Sequence, residues 1–149
     1  MTHDFTAFPE LTDEQMNFYY FDSPHKQIFE SFRAQVIKVH DGDTITLRWF
    51  ERDFDFPVRF SDIAAPELSE AGGEDSKNWL ERKLLNEEVD VSIDPKNRVE
   101  KWGRLLGKIY FNGISIGDES INAGKSISWE NRNDGKIKSI EGELKKVWV

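Results

Sequence analysis

Residues 33–50, RAQVIKVHDGDTITLRWF, decide the fold. Ala34, Val36 and Lys38 recur at every second position between Arg33 and His40, the period of a strand. Ile45, Leu47 and Phe50 mark a second strand over Thr44–Phe50. Asp41-Gly42 between them is a hairpin signal, because both residues tolerate the backbone angles a tight turn needs.

Working outward, Phe54–Ile63 reads as a third strand. After Gly72-Gly73, the spacing of Trp79, Leu80 and Leu84 predicts a helix over Glu74–Asn86 with one apolar face. Val89–Ile93 is a strand, and Leu105–Phe111 and Ile114–Ile116 flank Asn112-Gly113, a second hairpin signal. A short helix ends at Gly124, and a C-terminal helix covers Ile137–Val147. Five short strands with an interposed helix can close as a small Greek-key barrel, an OB-like β-barrel with helices of the α+β class. That barrel domain is expected over residues 32–149.

Residues 1–31 read as an N-terminal extension. Thr12 followed by Gln15 is a capping signal, and the aromatic run Phe18-Tyr19-Tyr20-Phe21 precedes a Ser23-Pro24 stop. So much contiguous apolar surface is expected to pack on the barrel or to mediate self-association or a protein partner. The extension is acidic as well: through residue 32, Asp4, Glu10, Asp13, Glu14, Asp22 and Glu30 face Lys26 alone, a net charge of −5.

The whole chain carries −8 over 149 residues, which argues against holding nucleic acid by general electrostatics, since that mode neutralises many phosphates with Lys and Arg. Any basic surface must be local. The absence of Cys excludes thiolate metal sites and thiol nucleophiles. No apolar stretch has the length of a signal sequence or a bilayer span, so an intracellular protein without a membrane partner is expected.

Three short stretches could carry chemistry. Asp41-Gly42-Asp43-Thr44 presents two carboxylates and a hydroxyl at a strand end, oxygen donors for a hard cation, although such turns are also ordinary. Val58-Arg59 runs into Ala65-Pro66-Glu67, where a proline-fixed bend holds a carboxylate that could take a proton from water. Lys101-Trp102-Gly103-Arg104 combines cations for phosphate with an aromatic that can stack on a base, and it too could be a solvated loop.

Together and in this order, these stretches resemble the staphylococcal nuclease family, or thermonucleases. The resemblance runs from about Phe32 to Val149. It includes the helix led by Gly73-Glu74, the entry Trp102-Gly103-Arg104-Leu105-Leu106, Gly124 and the near-terminal Trp148. It implies a five-stranded OB-fold and Ca²⁺-dependent hydrolysis of phosphodiester bonds in DNA or RNA. By the same resemblance Asp43 is a calcium ligand, Asp41 a neighbouring carboxylate of the site, and Glu67 the base. Arg59 and Arg104 fork onto phosphate oxygens, while Lys101 and Trp102 contact substrate.

The sequence departs from the family at Ala64, where the family places a second carboxylate on calcium. The site is therefore expected to bind the metal weakly, since affinity follows the count of charged oxygens. Asp62 is the candidate replacement, because strand residues two apart share a face about 6.5 Å apart. Two readings follow: a nuclease with a weakened metal site, or a catalytically inactive module that binds nucleic acid or a protein.

Overall fold

The structure, a computed structural model, describes residues 3–5, 7–100 and 103–132, the last two without their side chains. Lys101, Trp102, Trp148 and the expected helix over residues 137–147 lie outside the described residues.

Strand β1 (Phe32–Asp41) turns at Gly42-Asp43 into β2 (Thr44–Arg48), which pairs with β3 (Phe56–Phe60) in an antiparallel meander. Two register irregularities bend β1, between Val36 and Lys38 and between Val39 and Asp41. Such bulges add curvature, so the far half of β1 turns away from β2 and pairs with β5 (Glu88–Ser92). Strand β5 pairs with β6 (Leu105–Phe111), and the parallel pairing of β6 with β3, Val58 opposite Leu105, closes a five-stranded barrel. Val36, Ile45, Leu47, Val58, Phe60 and Val91 fill it, and helix α2 (Gly73–Leu84) covers one end with Leu80 and Leu84.

Among the described residues, the expected elements are present with shifted ends. The third strand breaks at a Ser61-Asp62 bend, after which β4 (Ile63–Ala64) leaves the barrel and pairs with β8 (Ile127–Ser128). The Trp129 N–H donates to the Asp62 carbonyl at 3.0 Å, which anchors the departing chain. Helix α2 stops at Leu84 because Leu85 leaves the helical region at ψ 127°, after which Asn86 takes a left-handed φ of 67°. The hairpin of β6 and β7 (Ile114–Ser115) turns on Asn112 and Gly113, both at positive φ as an Asn-Gly turn requires. Ile116 begins helix α3 (Ile116–Asn122) instead of ending a strand, because the Ser115 hydroxyl caps that helix by accepting from the Asp118 N–H. A last short helix, α4, covers Trp129–Arg132.

In the extension, Thr12 and Gln15 form a reciprocal capping box that starts helix α1 (Asp13–Tyr19), followed by a 3₁₀ turn at Tyr20–Asp22. Phe18 and Phe21 remain 77% and 96% exposed, so the aromatic run does not pack on the barrel. A different part of the extension does: Glu10, Leu11, Gln27 and Ile28 are buried. The Glu10 carboxylate accepts from Arg52 in the β2–β3 loop and from Arg98 in the β5–β6 loop, the latter at 2.9 Å. Arg98 also donates to the carbonyls of Ile28 at 2.8 Å and Leu11 at 3.0 Å.

Candidate active site

The turn between β1 and β2 is ordered by its own side chain: Asp41 Oδ1 accepts from the Asp43 N–H at 3.0 Å. Gly42 is required by packing, since a Cβ there would lie 2.0 Å from Ser76 Oγ of α2 and 2.7 Å from Ala65 Cβ. The turn is thereby pressed between α2 and the chain after β4, and Asp43 is buried. Its Oδ2 accepts from the Ala65 N–H at 3.0 Å and from Arg59 Nη2 at 3.1 Å, and its Oδ1 from the Thr44 hydroxyl at 3.2 Å. Burial pushes the Asp43 carboxyl up to about 7, with Asp41 adding to the shift and the Arg59 cation and Ala65 amide opposing it.

Strand register places the two arginines on either side of this carboxylate. Arg59 on β3 lies opposite Thr44 on β2. Its Nη1 donates to the carbonyls of Phe60 at 2.7 Å and Ile63 at 3.4 Å, and its guanidinium carbon sits 4.4 Å above the Trp129 ring. Arg104 directly precedes β6, which runs beside β3. It forks onto both oxygens of Glu100, and its Nη1 makes a long 3.4 Å contact with the Thr44 hydroxyl. Burial works against the charged form of Arg104. Glu100, Asp43 and Asp41 overcome that and raise its pKa. A polar chain thus runs Arg59, Asp43, Thr44, Arg104, and in each arginine the described bonds use three of the five N–H groups.

Glu67 is exposed, two residues past the Ala65 amide that rests on Asp43. Its N–H donates to Glu70 Oε1 and its carbonyl accepts from the Glu70 N–H, each at 2.9 Å. Gly73 fits against that carbonyl, where a Cβ would lie 1.8 Å away. The backbone carrying Glu67 is therefore fixed while its carboxylate reaches solvent.

Ala64 is buried beside Ile127 and Trp129, an apolar setting. The Ser61-Asp62 bend means that Asp62 does not share a strand face with it. Asp62 instead lines a cavity of about 520 Å³ with Lys108 and Asp118, where burial raises its pKa. The donors at the turn, two carboxylates and a hydroxyl, are hard oxygens that suit a cation such as Ca²⁺ as a partial set. Among the described residues, no three acidic or histidine side chains group to hold a metal. The six to eight oxygens calcium takes would have to include water and substrate.

Reading the sequence missed Glu100 and Trp129, which hold the two arginines. Glu100 stands four residues before Arg104, a spacing that is informative only on a helix, and neither residue is helical.

Residues 57–146 match the family described as "Staphylococcal nuclease homologue", a span that includes Arg59, Glu67 and Arg104. The micrococcal nuclease of Shigella flexneri is 31% identical over 112 residues, covering 70% of this chain and 62% of that protein. An uncharacterized endonuclease of Haemophilus influenzae is 29% identical over 101 residues, covering 68% of this chain and 54% of that protein. The chain thus spans between half and two thirds of the length of these relatives. No helix among the described residues is long and apolar enough to cross a membrane.

Proposed function

Because the chain belongs to the staphylococcal nuclease family, we propose that it is a nuclease that hydrolyses DNA or RNA phosphodiesters, with Ca²⁺ held weakly by Asp43 and Asp41. The observation that carries this reading is the continuous polar chain from Arg59 through Asp43 and Thr44 to Arg104. It sets two arginines, cations of the kind that bind phosphate, around the buried Asp43 carboxylate and Thr44 hydroxyl.

In this reading Glu67 takes the proton of the attacking water as its oxygen bonds to phosphorus, and the bond to the leaving oxygen breaks in line. The free N–H groups of Arg59 and Arg104 meet the non-bridging oxygens, where negative charge accumulates. Glu100 and the backbone carbonyls around Arg59 hold both guanidinium planes before substrate arrives. A bound calcium ion would polarise a phosphoryl oxygen and lower the pKa of a coordinated water. Lys101 and Trp102 complete the proposal as substrate contacts, and the exposed Phe18 and Phe21 as a face for a second copy or protein partner, which mass in solution would read.

Single-turnover cleavage of single-stranded DNA and RNA with and without Ca²⁺ tests the assignment. The wild type should cleave at millimolar Ca²⁺, and Glu67→Gln should be slower by about a hundredfold or more, within the range of general-base contributions. The second reading, an inactive binding module, is favoured by the buried methyl of Ala64. Binding without any cleavage above the Glu67→Gln control would establish it.

Ala64→Asp places a carboxylate in that buried setting. Without Ca²⁺ the variant should melt lower than the wild type, since an unpaired buried charge is destabilising. Added Ca²⁺ should restore the melt and lower the Ca²⁺ concentration needed for cleavage about tenfold or more, because the metal stabilises only the fold that binds it. A melt that Ca²⁺ does not recover would remove Ala64 from the metal site.

A further inference from the structure

Outside the span that resembles the nuclease family, Phe8 of the extension packs on the residue that precedes Arg104 in the chain. Phe8 lies against Gly103, the residue that precedes Arg104: a Cβ on Gly103 would be 3.0 Å from Phe8 Cδ1 and 3.6 Å from its Cβ and Cγ. Gly103 has φ +89° and no side chain, so the ring of Phe8 rests on bare backbone. Phe8 is 45% exposed and takes no part in the buried core.

Its position is nonetheless determined. The Phe8 N–H donates to the Asp4 carbonyl at 2.9 Å, His3 Nε2 meets the Phe8 carbonyl at 2.8 Å, and the Ala7 N–H donates to Asp4 Oδ1 at 3.1 Å. Two residues on, Glu10 is locked between Arg52 and Arg98, which ties this turn to the loop carrying Gly103. Phe8 is therefore held beside the backbone of the residue that precedes Arg104, with its ring centre 6.2 Å from that of His3 and nearly half of its surface in solvent. Every nucleobase presents a π-face, and a half-exposed ring beside a phosphate-binding arginine is the usual platform for one.

We propose that Phe8 forms a stacking subsite for a nucleobase of single-stranded substrate next to the phosphate held by Arg104. This rests on the nuclease reading. The subsite is specific to this chain's extension and recognises a base without distinguishing which one, because stacking offers no hydrogen-bond readout.

The test compares kcat/KM for a thymidylate decamer with that for a decamer of the same length whose sugars carry no bases. In the wild type the decamer with bases is preferred. Phe8→Ala should reduce that preference about five- to a hundredfold, the range for losing one base-stacking side chain, and Phe8→Trp should restore it. If Phe8 only props up the loop, Phe8→Ala lowers both values equally and the preference stays unchanged, which overturns the proposal. Should the wild type cleave neither decamer, the nuclease reading fails. The same preference is then measured as a ratio of affinities by fluorescence anisotropy, and an unchanged ratio in Phe8→Ala removes the subsite as well.

Discussion

Replacing Arg104 with Ala is expected to slow single-turnover cleavage about a hundred- to a thousandfold at saturating Ca²⁺, with a much smaller loss of oligonucleotide affinity. The reason is that charge on the phosphoryl oxygens grows toward the transition state, so a donor aimed there stabilises it more than bound substrate. Removing one such donor group typically costs about 3 to 4 kcal/mol. Arg104→Lys should recover little, since an ammonium cannot grip two oxygens in one plane. Arg59→Ala is the less informative partner experiment. Arg59 is the cation facing the buried Asp43 carboxylate and also binds two backbone carbonyls. Its loss would disturb the turn itself. A binding module has no transition state to stabilise, so Arg104→Ala would there weaken affinity with no cleavage to lose. Equal losses in affinity and turnover would likewise place Arg104 in binding alone.

The barrel and the candidate site were legible to different depths. Alternating apolar residues and Asn112-Gly113 set most strand positions, because there the local backbone preference agrees with the final pairing, whereas the first turn falls on Gly42-Asp43 without positive φ and needs its glycine for packing against α2. Thr12 and Gln15 marked the start of α1 for the same reason. The break at Ser61-Asp62 was not legible, since the partners of the departing chain, the Trp129 amide and β8, arrive from more than 60 residues away along the chain. That one break moved Asp62 from the expected metal face to a separate cavity. The cations at 59 and 104 could be singled out by motif. Their being joined through Thr44 and Asp43 could not, because it depends on β6 closing against β3.

The contact of Glu10 with Arg52 and Arg98, which joins the extension to two barrel loops, was not legible in the sequence, and it carries the largest expected effect on stability. Glu10, Arg52 and Arg98 are each almost fully buried, and among the described residues the Glu10 carboxylate is the one anion paired with both cations. Arg52 leaves Nε and Nη1 buried with no hydrogen-bond partner, so the cluster has no reserve of bonds to redistribute. Its remaining support is the Lys26 carbonyl, which accepts from Nη2 at 3.0 Å, and aromatic rings, with the guanidinium carbon 4.7 Å from the Phe56 ring centre. Glu10→Gln keeps the shape and removes the charge, leaving two buried cations without a counter-ion. Breaking a buried pair from one side costs about 3 to 5 kcal/mol, a large share of the roughly 5 to 15 kcal/mol that holds a domain together. For a chain of this size the melting temperature should fall by roughly 6 to 20 °C. Replacing all three residues with apolar ones of similar volume should recover much of the loss, because the desolvation penalty of the charges disappears with them. Thermal and urea unfolding followed by tryptophan fluorescence measure both variants. A Glu10→Gln melt within about 2 °C of wild type would mean that residues 1–31 unfold apart from the barrel, since an extension already detached at the transition contributes nothing to its midpoint.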